Sequence, residues 1–169
     1  MARVFLVEDR TVAGWVQVLL PVRPNGSTGW IRSSGVTIAP TTAHIEVELG
    51  ARRITVTDAG TVTVTVTYRG PVDVDAADTP TPTGKYSLRV LLQAPDPDTA
   101  YGPFAEGLSS HSDALEAFNG GDAEIGIHGT DDASLLGTDI THGCVRIDNA
   151  AITEPPAQLP LGTPVDIVA

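Results

Sequence analysis

Residues 43–67 constrain the fold of this chain more than any other stretch. HIEVEL places Ile45, Val47 and Leu49 on one face. RRITVT repeats the pattern with Ile54 and Val56, and TVTVTVTY repeats it with Val62, Val64 and Val66. Side chains of a strand alternate between faces, so apolar residues at every second position make a ribbon with one wet and one buried side. The turns are marked as well, by Gly50 and by Asp58-Ala59-Gly60. Three such ribbons in succession predict antiparallel strands packed on a core through one face. The Thr/Val ladder reflects β-propensity and carries no function of its own.

The remainder of the chain reads in the same idiom. The opening RVFLVEDR has strand-like alternation. Two apolar runs then flank Pro24-Asn25-Gly26-Ser27, and Asn-Gly is a strong hairpin signal. Trp15 and Trp30 occupy similar places in the two arms, and we expect both in a small core rather than in a ligand groove. Residues 1–40 thus read as a small SH3-like β-meander. A second unit begins at 41 and runs to 169. Within it, residues 71–84 form a loop rich in Pro, Asp and Thr, Tyr86–Leu92 is a strand, and a long loop continues to Gly107. Ser112–Phe118 is the best short helix candidate, with Ser112 as cap and Gly120-Gly121 as stop. Glu124–His128 and Pro164–Val168 read as strands, and Asn149–Thr153 as one helical turn ended near Pro155.

At 169 residues the chain suits one medium domain, or a domain with a small module. Its net charge of −11 argues against a nucleic-acid groove and against a polybasic membrane patch. No apolar run is long enough for a transmembrane segment. No export signal is visible, and we expect a piece of a longer protein with Met1 supplied for expression. One cysteine excludes an intrachain disulfide.

Chemistry concentrates in IHGTDDASLLGTDITHGCVRIDN, residues 127–149. It holds the only cysteine, Cys144, and two of the four histidines, His128 and His142. It also holds Arg146, the only cation of residues 90–169, which carry 13 acids. A nucleophilic thiol needs a base for its proton and gains from a cation that holds an anionic substrate. His128 and Cys144 can meet if one ends a strand and the other starts the next. Gly143 before Cys144 leaves room for backbone N–H groups to face a developing oxyanion, and Arg146 can clamp a carboxylate. The bland alternative for Arg146 is an ion pair with Asp148 or Asp139. A zinc site of His128, His142, Cys144 and an acid such as Asp131 or Asp139 is a further alternative. His44 reads as structural. His111 reads as a cap or surface residue.

These residues resemble the L,D-transpeptidase catalytic domain, the YkuD type. The resemblance lies in His128-Gly129-Thr130, then Thr141-His142-Gly143-Cys144-Val145-Arg146-Ile147 with Asn149 nearby. It extends to TPTGKYSL at 81–88 and LGTPVDIV at 161–168, so it covers residues 43–169. It implies a mixed β-sandwich with one or two short helices. It implies that Cys144 attacks peptidoglycan stem peptides, releases D-alanine and passes the thioester to an amine of a neighbouring stem. His128 would be the base, oriented by the carbonyl of Gly129. Gly143 and Cys144 would supply oxyanion donors, and His142, Thr141, Arg146 and Asn149 would contact substrate. No metal or other cofactor is implied. Carbapenems become expected covalent inhibitors, and the expected location is outside the cytoplasm, at the cell wall or in the periplasm. Thr141 stands where serine is commoner, and some relatives have Asn in place of Arg146. L,D-carboxypeptidation and attachment of wall proteins would use the same thioester. A vestigial, non-catalytic wall-binding module is the rival from another class.

Overall fold

A computed structural model describes residues 3–67, 78–136, 142–153 and 159–169. Nine of its eleven strands fall where alternation or an apolar run placed them; Phe104–His111 begins inside the stretch read as a loop to Gly107, Val145–Arg146 is only two residues long, and the opening stretch contributes only β1, Val7–Asp9. It pairs antiparallel with β2, Trp15–Leu19, which pairs with β3, Thr28–Arg32. The Pro24–Ser27 turn joins the last two, with the Ser27 amide donating to the Pro24 carbonyl.

This small sheet buries Val16 and Val18 on one side, and Leu19 at the end of the other. The tryptophans are on that second side, which corrects the core assignment. Trp30 is 43% exposed. Trp15 is half-buried under the Arg32 guanidinium, 5.0 Å from its ring centroid. The reason is register: Trp15 pairs with Arg32 and Trp30 with Gln17, so all four share a face that is covered only at its Leu19 end.

The larger sheet has eight strands in the order β10-β9-β8-β7-β11-β4-β5-β6. β4 (Ala43–Glu48), β5 (Arg53–Asp58) and β6 (Thr61–Thr67) form the expected antiparallel meander. β7, Gly84–Gln93, is the hinge of the fold. Its first half pairs with β11 (Pro164–Val168) and its second half with β8 (Phe104–His111), with a bulge between Leu88 and Val90. β9 (Glu124–His128) and the two-residue β10 (Val145–Arg146) complete that side. β10 runs parallel to β9, and β11 parallel to β4, so the sheet is mixed.

The two halves curl around one core. Ile45, Val47, Ile54 and Val56 from one half meet Leu108, Ile125, Ile127 and Val145 from the other, with Tyr86, Leu88, Val165 and Ile167 between. Burying each such aliphatic side chain is worth about 1.5–3 kcal/mol, which makes this face-to-face packing the main hold on the fold.

The one α-helix among the described residues is α1, Asn149–Thr153. Its Ile152 enters the core, and the Asp148 carboxylate accepts from the Ala150 amide at its N-terminus. Residues 112–118 do not form the expected helix. Ser112 does behave as a cap, its hydroxyl accepting from the amides of Ala114 and Leu115. The Ser112 and Leu115 carbonyls, however, accept from Arg23 of the small sheet, at 3.3 and 2.7 Å. A helix would have used those acceptors internally.

Candidate active site

Strand pairing puts His128 and Arg146 side by side. His128 ends β9, Arg146 ends β10, and the two are direct partners in register, with Ala105 of β8 on the other flank of His128. Cys144 immediately precedes β10, which brings it to the same cleft as His128 despite the intervening loop. His128, His142, Cys144 and Arg146 line one small pocket together with Tyr101 and Phe118. Beside it runs a cleft of about 720 Å³ across the outer face of β7, β8 and β9. Gly107 and Gly126 are cross-strand partners on that face and keep its floor low.

His128 is 4% exposed, and its Nδ1 lies 2.7 Å from the Gly129 carbonyl oxygen. A carbonyl only accepts, so Nδ1 carries the proton and Nε2 keeps its lone pair. Burial lowers the imidazole pKa to about 4; the Gly129 carbonyl works against that shift, and the Arg146 cation adds to it. The ring is therefore neutral at neutral pH. The Cys144 thiol is pushed up by burial, with the Gly126 backbone and Arg146 opposing. Its Sγ lies 4.0 Å from the Glu124 carbonyl oxygen. The resting pair is thus neutral thiol and neutral imidazole, not a thiolate–imidazolium ion pair.

Gly143 has φ +106°, and a Cβ there would come within 2.8 Å of Ile125 Cδ1. Only glycine fits this turn without displacing the core. Its carbonyl accepts from the buried Thr81 hydroxyl at 2.9 Å, so the Thr-Pro-Thr-Gly block braces the turn before the cysteine. Gly84 of that block opens β7 opposite Ile167. Arg146 makes no ion pair with Asp148, which caps α1 instead, and its Nε is buried without a hydrogen-bond partner. Asp139 and Thr141 lie outside the described residues. His142 is exposed, its ring 4.7 Å from that of Phe118.

Asn149 stands behind the cleft. Its Oδ1 accepts from the Thr130 amide and its Nδ2 donates to the Thr130 carbonyl, both at 2.8 Å, so it straps the turn that follows His128. Sequence reasoning missed Tyr101, whose ring meets His128 edge-on at 4.9 Å, and Phe118. Both sit in loops where no spacing rule operates; their only signal was an aromatic beside glycine, as in Tyr101-Gly102-Pro103 and Phe118-Asn119-Gly120. His44 pairs with Asp166 at 2.8 Å between β4 and β11, a structural position. His111 is not a surface residue. It is 1% exposed, with Nε2 3.2 Å from Asp122 Oδ2. No group of three or more His, Cys, Asp or Glu suited to a metal occurs among the described residues.

Residues 42–167 match the sequence model of the L,D-transpeptidase catalytic domain, YkuD. The chain belongs to this family. Among relatives of this L,D-transpeptidase domain is the putative L,D-transpeptidase YkuD of Bacillus subtilis (strain 168), 29% identical over 124 residues. That alignment covers 73% of this chain and 65% of the relative, so the domain described here spans just under two thirds of that protein. Bd1075 of Bdellovibrio bacteriovorus is similar in structure, with a TM-score of 0.54 and 25% identity over 75% of this chain and 48% of its own. The Ldtfm–avibactam carbamoyl enzyme shares the fold over 99% of this chain and 73% of its own, with a TM-score of 0.56 and 15% identity. No helix among the described residues is long and apolar enough to cross a membrane.

Proposed function

We propose that the protein is a peptidoglycan L,D-transpeptidase that works through a thioester on Cys144. The observation that carries this reading is the His128 tautomer. With Nδ1 committed to the Gly129 carbonyl, Nε2 is a free base in the pocket that also holds Cys144 and Arg146. Cys144 Sγ attacks the carbonyl between diaminopimelate and the terminal D-alanine of a tetrapeptide stem. His128 Nε2 takes the thiol proton as the S–C bond forms. Backbone N–H groups at Gly143 and Cys144 face the oxyanion. His128 returns the proton to the departing amine, D-alanine leaves, and a thioester remains. An amine of a neighbouring stem's diaminopimelate then attacks the thioester and gives its proton to His128, and the thiol is regenerated.

Arg146 holds an anion, either a stem carboxylate or the charge developing near the sulfur. His142 lines the substrate side, Thr141 takes a substrate-binding role from the family pattern alone, and Asn149 acts by positioning the turn after His128. The catalytic unit is residues 41–169, with residues 1–40 a separate SH3-like module; the family match beginning at residue 42 supports that boundary. Such an enzyme works outside the cytoplasm, at the wall or in the periplasm. Water or a protein amine in place of the second stem would give L,D-carboxypeptidase or wall-attachment activity from the same thioester.

The test is mass spectrometry of the protein with tetrapeptide muropeptides, which should yield cross-linked dimers and free D-alanine. Cys144→Ala should abolish both while leaving the circular dichroism spectrum unchanged. A carbapenem should add one drug equivalent to the intact mass of the native chain and none to Cys144→Ala. Turnover retained in folded Cys144→Ala would end the thioester reading. No turnover and no adduct in the native chain would favour a non-catalytic wall-binding module.

A further inference from the structure

The small sheet touches the L,D-transpeptidase domain at a place that matters for the cleft. The β2–β3 hairpin carries Arg23 and Asn25 at its tip, and both reach the segment between β8 and β9. Arg23 Nη1 donates to Asp122 Oδ1 at 2.7 Å and to the Asp122 carbonyl at 3.0 Å. Nη2 donates to the carbonyls of Leu115 at 2.7 Å and Ser112 at 3.3 Å. Asn25 treats His111 as a neighbouring strand would. Its Nδ2 donates to the His111 carbonyl at 2.7 Å, and its Oδ1 accepts from the His111 amide at 2.9 Å. Nδ2 also reaches Asp113 Oδ1 at 3.0 Å.

The clasped segment has no helix and little pairing of its own beyond the Phe118–Gly121 bridge and the Ser112–Ala123 hydrogen bond. It is also a wall of the site. Gly121, Asp122 and Ala123 line the large cleft, and Phe118 and Asn119 line the small pocket at Cys144. An exposed ion pair alone does little. Here one guanidinium holds three backbone carbonyls and a carboxylate at once, a task its planar fork suits and an ammonium does not. The Asp122 carboxylate it holds faces the buried His111 as well.

We infer that Arg23 and Asn25 are positioning residues of the active site: they hold the 112–123 wall, and through Phe118 and Ala123 they set how well the cleft binds its substrate. The hairpin touches neither Cys144 nor His128, so it acts on substrate binding and not on the bond-making step. The substrate readout rests on the L,D-transpeptidase reading above; the structural readout does not.

The experiment uses the full chain with Arg23→Ala, Arg23→Lys and Asn25→Asp. Asn25→Asp keeps the shape but turns the donor into an acceptor facing the His111 carbonyl. The half-saturation concentration of a tetrapeptide stem should rise about tenfold in Arg23→Ala and Asn25→Asp, with the limiting acylation rate within about twofold of native. Arg23→Lys should recover part of the loss. Amides of 113–121 should exchange with deuterium about tenfold faster in the two damaging variants. If Arg23→Ala does not fold, Arg23→Lys and Asn25→Asp carry the test. Native half-saturation and native exchange in folded variants would overturn the inference, and so would a loss confined to the limiting rate. If the native chain turns over no stem peptide, the L,D-transpeptidase reading fails, and the exchange data alone then decide whether the hairpin orders the wall.

Discussion

His128 and Cys144 both rest uncharged, and this shapes how the site should respond to pH. The thiol is pushed up by burial, so a small alkylating agent that needs thiolate should label Cys144 slowly at pH 7, and faster as pH climbs past the ordinary thiol range. Acylation by substrate in the proposed mechanism differs, because there His128 would remove the proton during attack. Its rate should stay level from about pH 6 to 8 and fall only as pH approaches about 4, where the ring is protonated. Arg146 lowers both groups. Arg146→Ala should therefore move the alkylation curve and the acid limb of acylation to higher pH together. Rapid labelling of the native chain at pH 6 would show a standing thiolate and overturn the neutral pair. The cluster of Cys144, two histidines and Arg146 was legible in the sequence because each residue type is scarce in this chain. The Gly129 carbonyl came from the family resemblance. Tyr101 and Phe118 were not legible, since a loop reaches the site by a path that no periodicity encodes.

Elements meet at the turn after β9, where space is short. Gly102 has φ +65°, and a Cβ there would lie 2.7 Å from the Thr130 amide nitrogen and 2.8 Å from Gly129 Cα. Gly102→Ala should cost about 1–3 kcal/mol of stability through backbone strain and displacement of that turn. It should also slow acylation, since the Gly129 carbonyl that orients His128 sits in the displaced backbone. A thermal melt and an acylation rate measured together check this; a native rate with a lowered melting temperature would separate the turn from the chemistry. The same contest between local and distant forces explains the misread helix at 112–118. Ser112 capped as its type predicts, but Arg23, some 90 residues earlier, captured the carbonyls a helix needs. The Val/Thr strands were legible because their partners are adjacent in sequence, so that the local pattern and the fold agree.

At the scale of the whole molecule, two buried ionisable groups act in opposite directions. Glu106 is 5% exposed on β8, paired in register with Leu91 and Ile127, and burial raises its carboxyl to about 7. Because its folded pKa is raised, its stability contribution is full below the unfolded value near 4.5 and is lost as pH climbs to about 7. His128 is lowered, so its contribution is full above the unfolded value near 6.5 and is lost as pH falls to about 4. Each swing is about 3 kcal/mol, and between pH 4.5 and 6.5 they nearly cancel. Glu106→Gln should leave the His128 slope uncovered, so that stability rises with pH across that window. Urea melts of both chains at pH 5, 6 and 7 would show it, and parallel profiles would refute it.

The closing strand has a consequence for how the protein comes into being. β11 does not sit at the sheet's edge but between β7 and β4. While the ribosome is still reading the codons before residue 164, the nascent chain holds two half-sheets with unpaired strand edges facing each other. Cys144 has already been made by then, but the core that braces its turn has not closed. A chain ended before residue 164 therefore keeps two open strand edges, which invite aggregation.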